Sequence, residues 1–251
     1  MIPVFIEFFS GSARLAGAVR QAGWLAMRWD IMDGPDFDLT RPRIQAQVRG
    51  WLRARLIKAF HMGFPCESWS RARDIPNGPP RLRSRDEIWG VSVLRDGDRD
   101  KVRLGNILVR FTASFCQLAA SLCVPFSAEN PANSYAWLAP PLVRLQRRTG
   151  VSFHKVEYCQ FGTPWRKSTA FLTFAVDFSW MCQFRCTGRG CRRTGLPHQV
   201  LSGTNAQGVF RTKIAEPYPP ALCRRIARSF IDEQARARAA QFQHLISRVA
   251  A

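Results

Sequence analysis

The sequence predicts an α/β fold, a mainly parallel sheet flanked by helices and carrying one small Cys/His-rich insert. Three observations predict it. Short runs of β-branched and aromatic residues alternate with segments whose apolar residues recur every three or four positions. Glycine, acidic and thiol residues follow directly after the apolar runs, as they do where strands open into loops. The alternation breaks once, over residues 181–208, where Cys, Gly, Arg and Thr dominate. Strands that alternate with helices favour parallel pairing, because each helix carries the chain back to start the next strand.

Residues 2–9 read as the first strand, with Glu7 inside it. "SGSARLAGAVRQAG" follows; Leu15, Val19 and Ala22 share one helical face, and Gly23 is placed to end the helix. "WLAMRWD" is a second strand ending in Asp30, and "DFDLT" is an acidic turn. Ile44, Val48, Trp51 and Leu52 keep helical spacing after Pro42, a residue suited to a helix start. "LIKAFHM" is a third strand that runs towards Cys66. Residues 67–104 are polar and rich in Arg, Pro and Gly, and read as a long mobile loop with little core. "NILVRFTASFCQLAASLC" reads as a helix and "VPFSAE" as a strand ending in Glu129. A helix over 134–148 and two strands, "SFHKVEY" and "TAFLTFAVDF", come next. From Pro219 the chain reads as helix to its end, its last part an exposed tail.

The 251 residues suit one large domain or two small ones, and 46% hydrophobic content supports a core rather than wholesale disorder. No apolar run reaches ~18 residues, so no membrane-crossing helix is expected. The start, MIPVFIEFFSG, lacks the basic segment and cleavage site of a signal peptide. Lys and Arg number 37 against 18 acidic residues, a net charge of +19 that points to a polyanionic partner, above all nucleic acid. The eight cysteines, without a secretory signal, are not read as a disulfide framework. In an open α/β sheet, ligands bind beyond the carboxyl ends of the strands. Those ends offer Phe9, Ser10 and Gly11 in a tight turn, Asp30 placed to accept from ribose hydroxyls, Cys66, and Glu129 with Asn130.

Five segments in order resemble the cytosine-5 DNA methyltransferases, especially divergent phage, viral and retroelement members. "FIEFFSGSARLAGAVRQAG" resembles their cofactor motif, "GFPCESWS" the Pro-Cys nucleophile motif, and "AENP" the Glu-Asn-Val motif. "FGTPWRKSTAFLTF" is similar to the Gly-x-Pro-Gln-x-Arg-x-Arg segment, and "IAEPYPPALCRRIA" to the closing Gly-Asn-x-x-Pro-Pro motif. The sequence departs from the pattern at Ala13, Glu67, Trp165, Lys167, Thr169 and Glu216.

The resemblance implies a Rossmann-like S-adenosylmethionine-dependent methyltransferase sheet. It also implies methyl transfer from that cofactor to carbon 5 of a cytosine flipped out of double-stranded DNA. Cys66 is then the nucleophile, Glu129 with Asn130 engages the base, and Lys167 stands in for a missing arginine. Phe9, Ser10, Gly11, Ser12, Asp30, Ile31, Asp38 and Pro65 form the cofactor pocket. Ser70, Arg71 and Arg73, together with Arg81, Arg83 and Arg85, are placed to reach phosphates. The alternatives are an RNA cytosine-5 methyltransferase and a catalytically impaired nucleic-acid-binding module of the same fold.

"CQFRCTGRGCRRTGLPH" sets Cys182, Cys186, Cys191 and His198 at C-x3-C-x4-C-x6-H spacing. Three thiols and an imidazole suit a structural tetrahedral Zn2+. Arg185, Arg189, Arg192 and Arg193 surround them, suiting nucleic-acid contact where the family carries target recognition. The expected organisation is a catalytic core over 1–178 and 209–236, a recognition insert over 179–208, and a tail helix over 237–251. A monomer is expected, either free or as part of a larger polypeptide, intracellular and with DNA (in the nucleus if the source is eukaryotic), neither secreted nor in a membrane.

Overall fold

The computed structural model describes residues 4–74, 79–188, 190–204, 206–207 and 211–249. Six strands form one sheet: β1 (Val4–Phe8), β2 (Leu25–Trp29), β3 (Ala59–Gly63), β4 (Phe126–Pro131), β5 (Val151–Glu157) and β6 (Ser168–Phe174). Their order is β2-β1-β3-β4-β6-β5. The first four run parallel, β6 is antiparallel to β4, and β5 is antiparallel to β6. This is the mainly parallel α/β sheet expected from the alternation of elements, with one reversed strand, and it agrees with the Rossmann-like sheet that the resemblance implies. The reversal has a simple cause. A parallel connection needs a crossover of about a dozen residues or more, and only residues 158–167 join β5 to β6.

Side-chain alternation along the strands divides the core in two. Ile6, Phe8, Phe60, Met62 and Leu172 pack on one face with α2 (Pro42–Arg53), α3 (Asp96–Ser121) and α4 (Pro140–Gln146). Phe5, Ala59 and Phe171 pack on the other with α1 (Arg14–Gln21) and α5 (Pro220–Val249). The buried stripe of α5 includes Leu222, Ile226 and Phe230, and residues 235–240 are exposed.

Several elements differ from the sequence reading. Helix α3 begins at Asp96, so the stretch before residue 106 is not all loop. Its first turn carries Asp96 and Asp98, which suit a helix amino terminus. The loop itself is not coreless: Trp69, Leu82 and Arg83 are buried. The helix expected over 134–148 is two pieces, a 3-10 turn at Tyr135–Leu138 and then α4. Ala139 precedes Pro140 and takes the extended conformation that a following proline favours, which separates them. Strand β6 stops at Phe174, where Ala175 is left-handed.

Candidate active site

Because β1 to β4 run parallel, their carboxyl ends share one edge of the sheet. Strand β6, being reversed, brings its beginning to that edge, so Lys167 and Thr169 arrive beside Glu129 and Asn130. The end of β3 leads through Phe64 and Pro65 to Cys66. Asn130 Nδ2 donates to Phe64 O at 2.7 Å, tying the end of β4 to the thiol loop. Trp69 N donates to Cys66 O at 2.9 Å and closes the turn around the cysteine.

Cys66 is half-buried, and burial raises its thiol above the ordinary value. The Lys167 ammonium acts in the opposite sense, while Glu129 and Glu216 reinforce the rise. Lys167 donates to Ala215 O at 3.0 Å and lies 4.8 Å above the Tyr158 ring, so it is positioned rather than freely solvated. Both Glu129 oxygens are held: Oε1 accepts from the Thr169 hydroxyl, and Oε2 from the Tyr218 hydroxyl at 3.0 Å. Asn130 is fully buried and its Oδ1 has no partner. Its donated bond to the loop makes it a support for Cys66 as well as a neighbour of Glu129.

The turn from β1 to α1 is unusual in its backbone. Phe9, Gly11 and Ala13 all have left-handed φ values, 55°, 45° and 52°. Asp30 steadies the turn: one oxygen accepts from Gly11 N at 2.8 Å and the other from Met32 N at 3.0 Å. The Ser10 hydroxyl is buried without a partner, while Gly11 and Ser12 are exposed. Ile31 stands beside Asp30 with 57% of its surface exposed. An orphaned hydroxyl, an acid and an open apolar side chain at adjoining strand ends fit a nucleoside-bearing cofactor. Asp38 differs: its carboxylate accepts from the Thr40 amide and hydroxyl and from Arg41, so it is engaged in its own turn.

The basic residues after Cys66 are largely spoken for. Arg71 and Arg81 both pair with Asp74, each at 3.0 Å, and Arg73 pairs with Asp98 at 3.6 Å. Ser70 Oγ accepts from Ala72 N. Arg83 cannot reach a phosphate as expected. It is buried, stacks 3.4 Å from the Trp69 ring centroid, and donates to Ser68, Ile88, Val102 and Asn106. A side chain at position 105 would collide with Ser68 Oγ, so Gly105 lets α3 close over this group. Arg85 is exposed.

The cysteine cluster forms with one exchange. Ligand atoms of Cys159, Cys186, Cys191 and His198 lie within 4.8 Å of one another, and Cys186 Sγ is 3.6 Å from His198 Nε2. This Cys3His set could hold a metal ion. Cys182 is not in it: the residue is exposed on the 3-10 turn Ser179–Gln183. Cys159 takes its place from the turn after β5, where the sequence spacing had given no reason to look. Burial opposes ionisation of Cys191, but hydrogen bonds from Thr194, Arg193 and His198 bring its thiol down to about 6. Arg193 Nε donates to Cys159 O at 2.9 Å, Arg185 pairs with the buried Glu157 at 3.7 Å, and Arg192 is exposed. Arg189 lies outside the described residues.

Thr169, Tyr218 and His61 carry parts of the site that sequence reasoning did not assign. Thr169 stood out only as a departure from an arginine, and Tyr218 only as a letter in "PYPP". No helix among the described residues is long and apolar enough to cross a membrane. No family model matches the chain, and no curated protein does. Among solved structures, the Entamoeba histolytica methyltransferase EhMeth superposes with a TM-score of 0.40 at 11% identity, covering 71% of this chain and 54% of that one. The chain thus spans about half the length of that protein.

Proposed function

We propose that this chain is an S-adenosylmethionine-dependent DNA cytosine-5 methyltransferase. The observation that carries the reading is the meeting of Cys66, Glu129 and Lys167 at one sheet edge, beside the Asp30-locked turn. Phe9, Ser10, Gly11, Ser12, Asp30, Ile31 and Pro65 would hold the cofactor, which supplies an electrophilic methyl group. Cys66, as thiolate, adds to carbon 6 of the cytosine and makes carbon 5 nucleophilic. Burial holds the Cys66 thiol up, and the Lys167 ammonium acts against that rise, towards the thiolate. Glu129 hydrogen-bonds the ring at N3 and draws electron density from carbon 6. Methyl transfer would release S-adenosylhomocysteine; a water-borne base would then take the carbon 5 proton, and its electron pair would expel Cys66 as the thiolate and restore the aromatic ring.

A target within a duplex must be flipped out for this chemistry. The net charge of +19 suits the phosphate backbone, with Arg85 and Arg192 free to contribute and Ser70, Arg71, Arg73, Arg185 and Arg193 acting from within their ion-paired or hydrogen-bonded settings. We assign a structural Zn2+ to Cys159, Cys186, Cys191 and His198, since three thiols and an imidazole are its preferred ligands. Covalent trapping on a 5-fluorocytosine duplex, with a matched RNA offered in parallel, tests the function. Trapping on RNA alone would redirect the substrate to RNA. Binding without trapping on either would leave a nucleic-acid-binding module.

A further inference from the structure

We infer that Tyr218 is a positioning residue for Glu129 and that His61, anchored on Ser127, orients the Tyr218 hydroxyl; the inference rests on the methyl-transfer reading above. His61 lies on β3, fully buried, opposite Ser127 of β4 in the ladder. Its Nδ1 is 2.7 Å from Ser127 Oγ and its Nε2 is 2.9 Å from the Tyr218 hydroxyl. That hydroxyl is 3.0 Å from Glu129 Oε2. The close fit depends on Gly63, because a Cβ there would stand 2.5 Å from the Tyr218 oxygen.

Proton counting gives the chain a direction. A phenol has one proton to donate. If Tyr218 donates it to Glu129, the His61 contact must run the other way, from Nε2–H to the tyrosine oxygen. Nδ1 is then an acceptor, and Ser127 donates to it. Every polar atom along the chain is paired, which a buried network requires. Burial also keeps the imidazole neutral, as this arrangement demands. The other titratable groups facing the network are Glu7 from β1, Cys66 from the β3 loop, Tyr158 from the turn after β5, Cys223 from α5, Arg14 from α1, which donates to Tyr218 O, and Lys167 and Glu216 near the thiol.

A carboxyl group that must meet one face of a base cannot be free to rotate. Donors on both oxygens, Thr169 and Tyr218, hold the Glu129 plane.

The test uses the full chain, S-adenosylmethionine and a cytosine-containing duplex. Tyr218→Phe is expected to lower kcat by about 10- to 100-fold, the scale of one hydrogen bond to a charged group, with the KM for the cofactor unchanged. Loss confined to kcat, with KM and the urea-unfolding midpoint unmoved, is a split that a merely structural tyrosine would not give. Nitrogen-15 NMR of the wild-type chain near neutral pH is expected to show His61 neutral and protonated at Nε2. In Tyr218→Phe the proton moves to Nδ1. A wild-type Nδ1–H tautomer, or a Tyr218→Phe variant with kcat unchanged, would overturn the proposal. A wild-type chain without methyl transfer rejects the enzymatic reading instead, and the wild-type tautomer still decides the direction of the chain even if the variant fails to fold.

Discussion

Glu7 and His61 stand opposite each other in the β1–β3 ladder, both buried, and burial shifts them in opposite directions. Glu7 is pushed up from 4.5 to about 7 and His61 down from 6.5 to about 3. The folded state therefore binds a proton on Glu7 that the unfolded chain releases above 4.5. That contribution is full below 4.5 and lost as pH rises through about 7. The neutral His61 contributes stability that is full above 6.5 and lost as pH falls towards about 3. Between 4.5 and 6.5 the two slopes, each roughly 1.4 kcal/mol per pH unit, oppose each other. In urea unfolding these two contributions should cancel there, so each variant is read as a change relative to the wild type. Glu7→Gln should gain stability as pH rises across that window, and His61→Gln should lose it.

Cys66→Ser should form no covalent adduct with a 5-fluorocytosine duplex and transfer no methyl group, while S-adenosylmethionine binding stays within about 2-fold by calorimetry, since a hydroxyl keeps the loop's shape and the cofactor turn lies on other strands. Undiminished transfer would remove Cys66 from the chemistry.

Purified chain should carry about one zinc ion, the capacity of a single tetrahedral site. Cys159→Ser should lose it and Cys182→Ser should keep it, because only the first thiol faces Cys186, Cys191 and His198. Elemental analysis of the two variants decides between the ligand sets, and equal zinc in both would refute the assignment.

Arg83→Ala should destabilise the chain by at least about 1–3 kcal/mol, since it strands buried carbonyls that the guanidinium now satisfies. Arg85→Ala should leave unfolding unchanged and reduce the salt dependence of DNA binding by about one phosphate contact. The two arginines are two positions apart, and chemical denaturation with salt-titrated binding separates them.

Much of this arrangement was legible because it is local. Strand–helix alternation placed the elements, and a residue at a strand end must lie at the sheet edge, so Gly11, Asp30, Cys66 and Glu129 could be found in order. What escaped detection depends on distant pairing. Cys159 joins the thiol cluster only because the short β5–β6 hairpin folds its turn towards Cys191. Arg83 resembles its solvated neighbours in the sequence, and only the Trp69 ring and the gap left by Gly105 draw it inside. Tyr218 reaches Glu129 across a separation that no periodicity encodes.

Phe9, Gly11 and Ala13 hold alternate left-handed positions, and only one of the three is glycine. The left-handed pattern of this turn is therefore set by its torsion angles and not by glycine alone. A search pattern demanding glycine at position 13 would discard the chain, whereas a template built from the sign of φ at positions 9, 11 and 13 would retain it. The same geometry sets a rule for library design: position 13 should accept glycine readily and reject valine, isoleucine and threonine, whose branched side chains tolerate positive φ poorly.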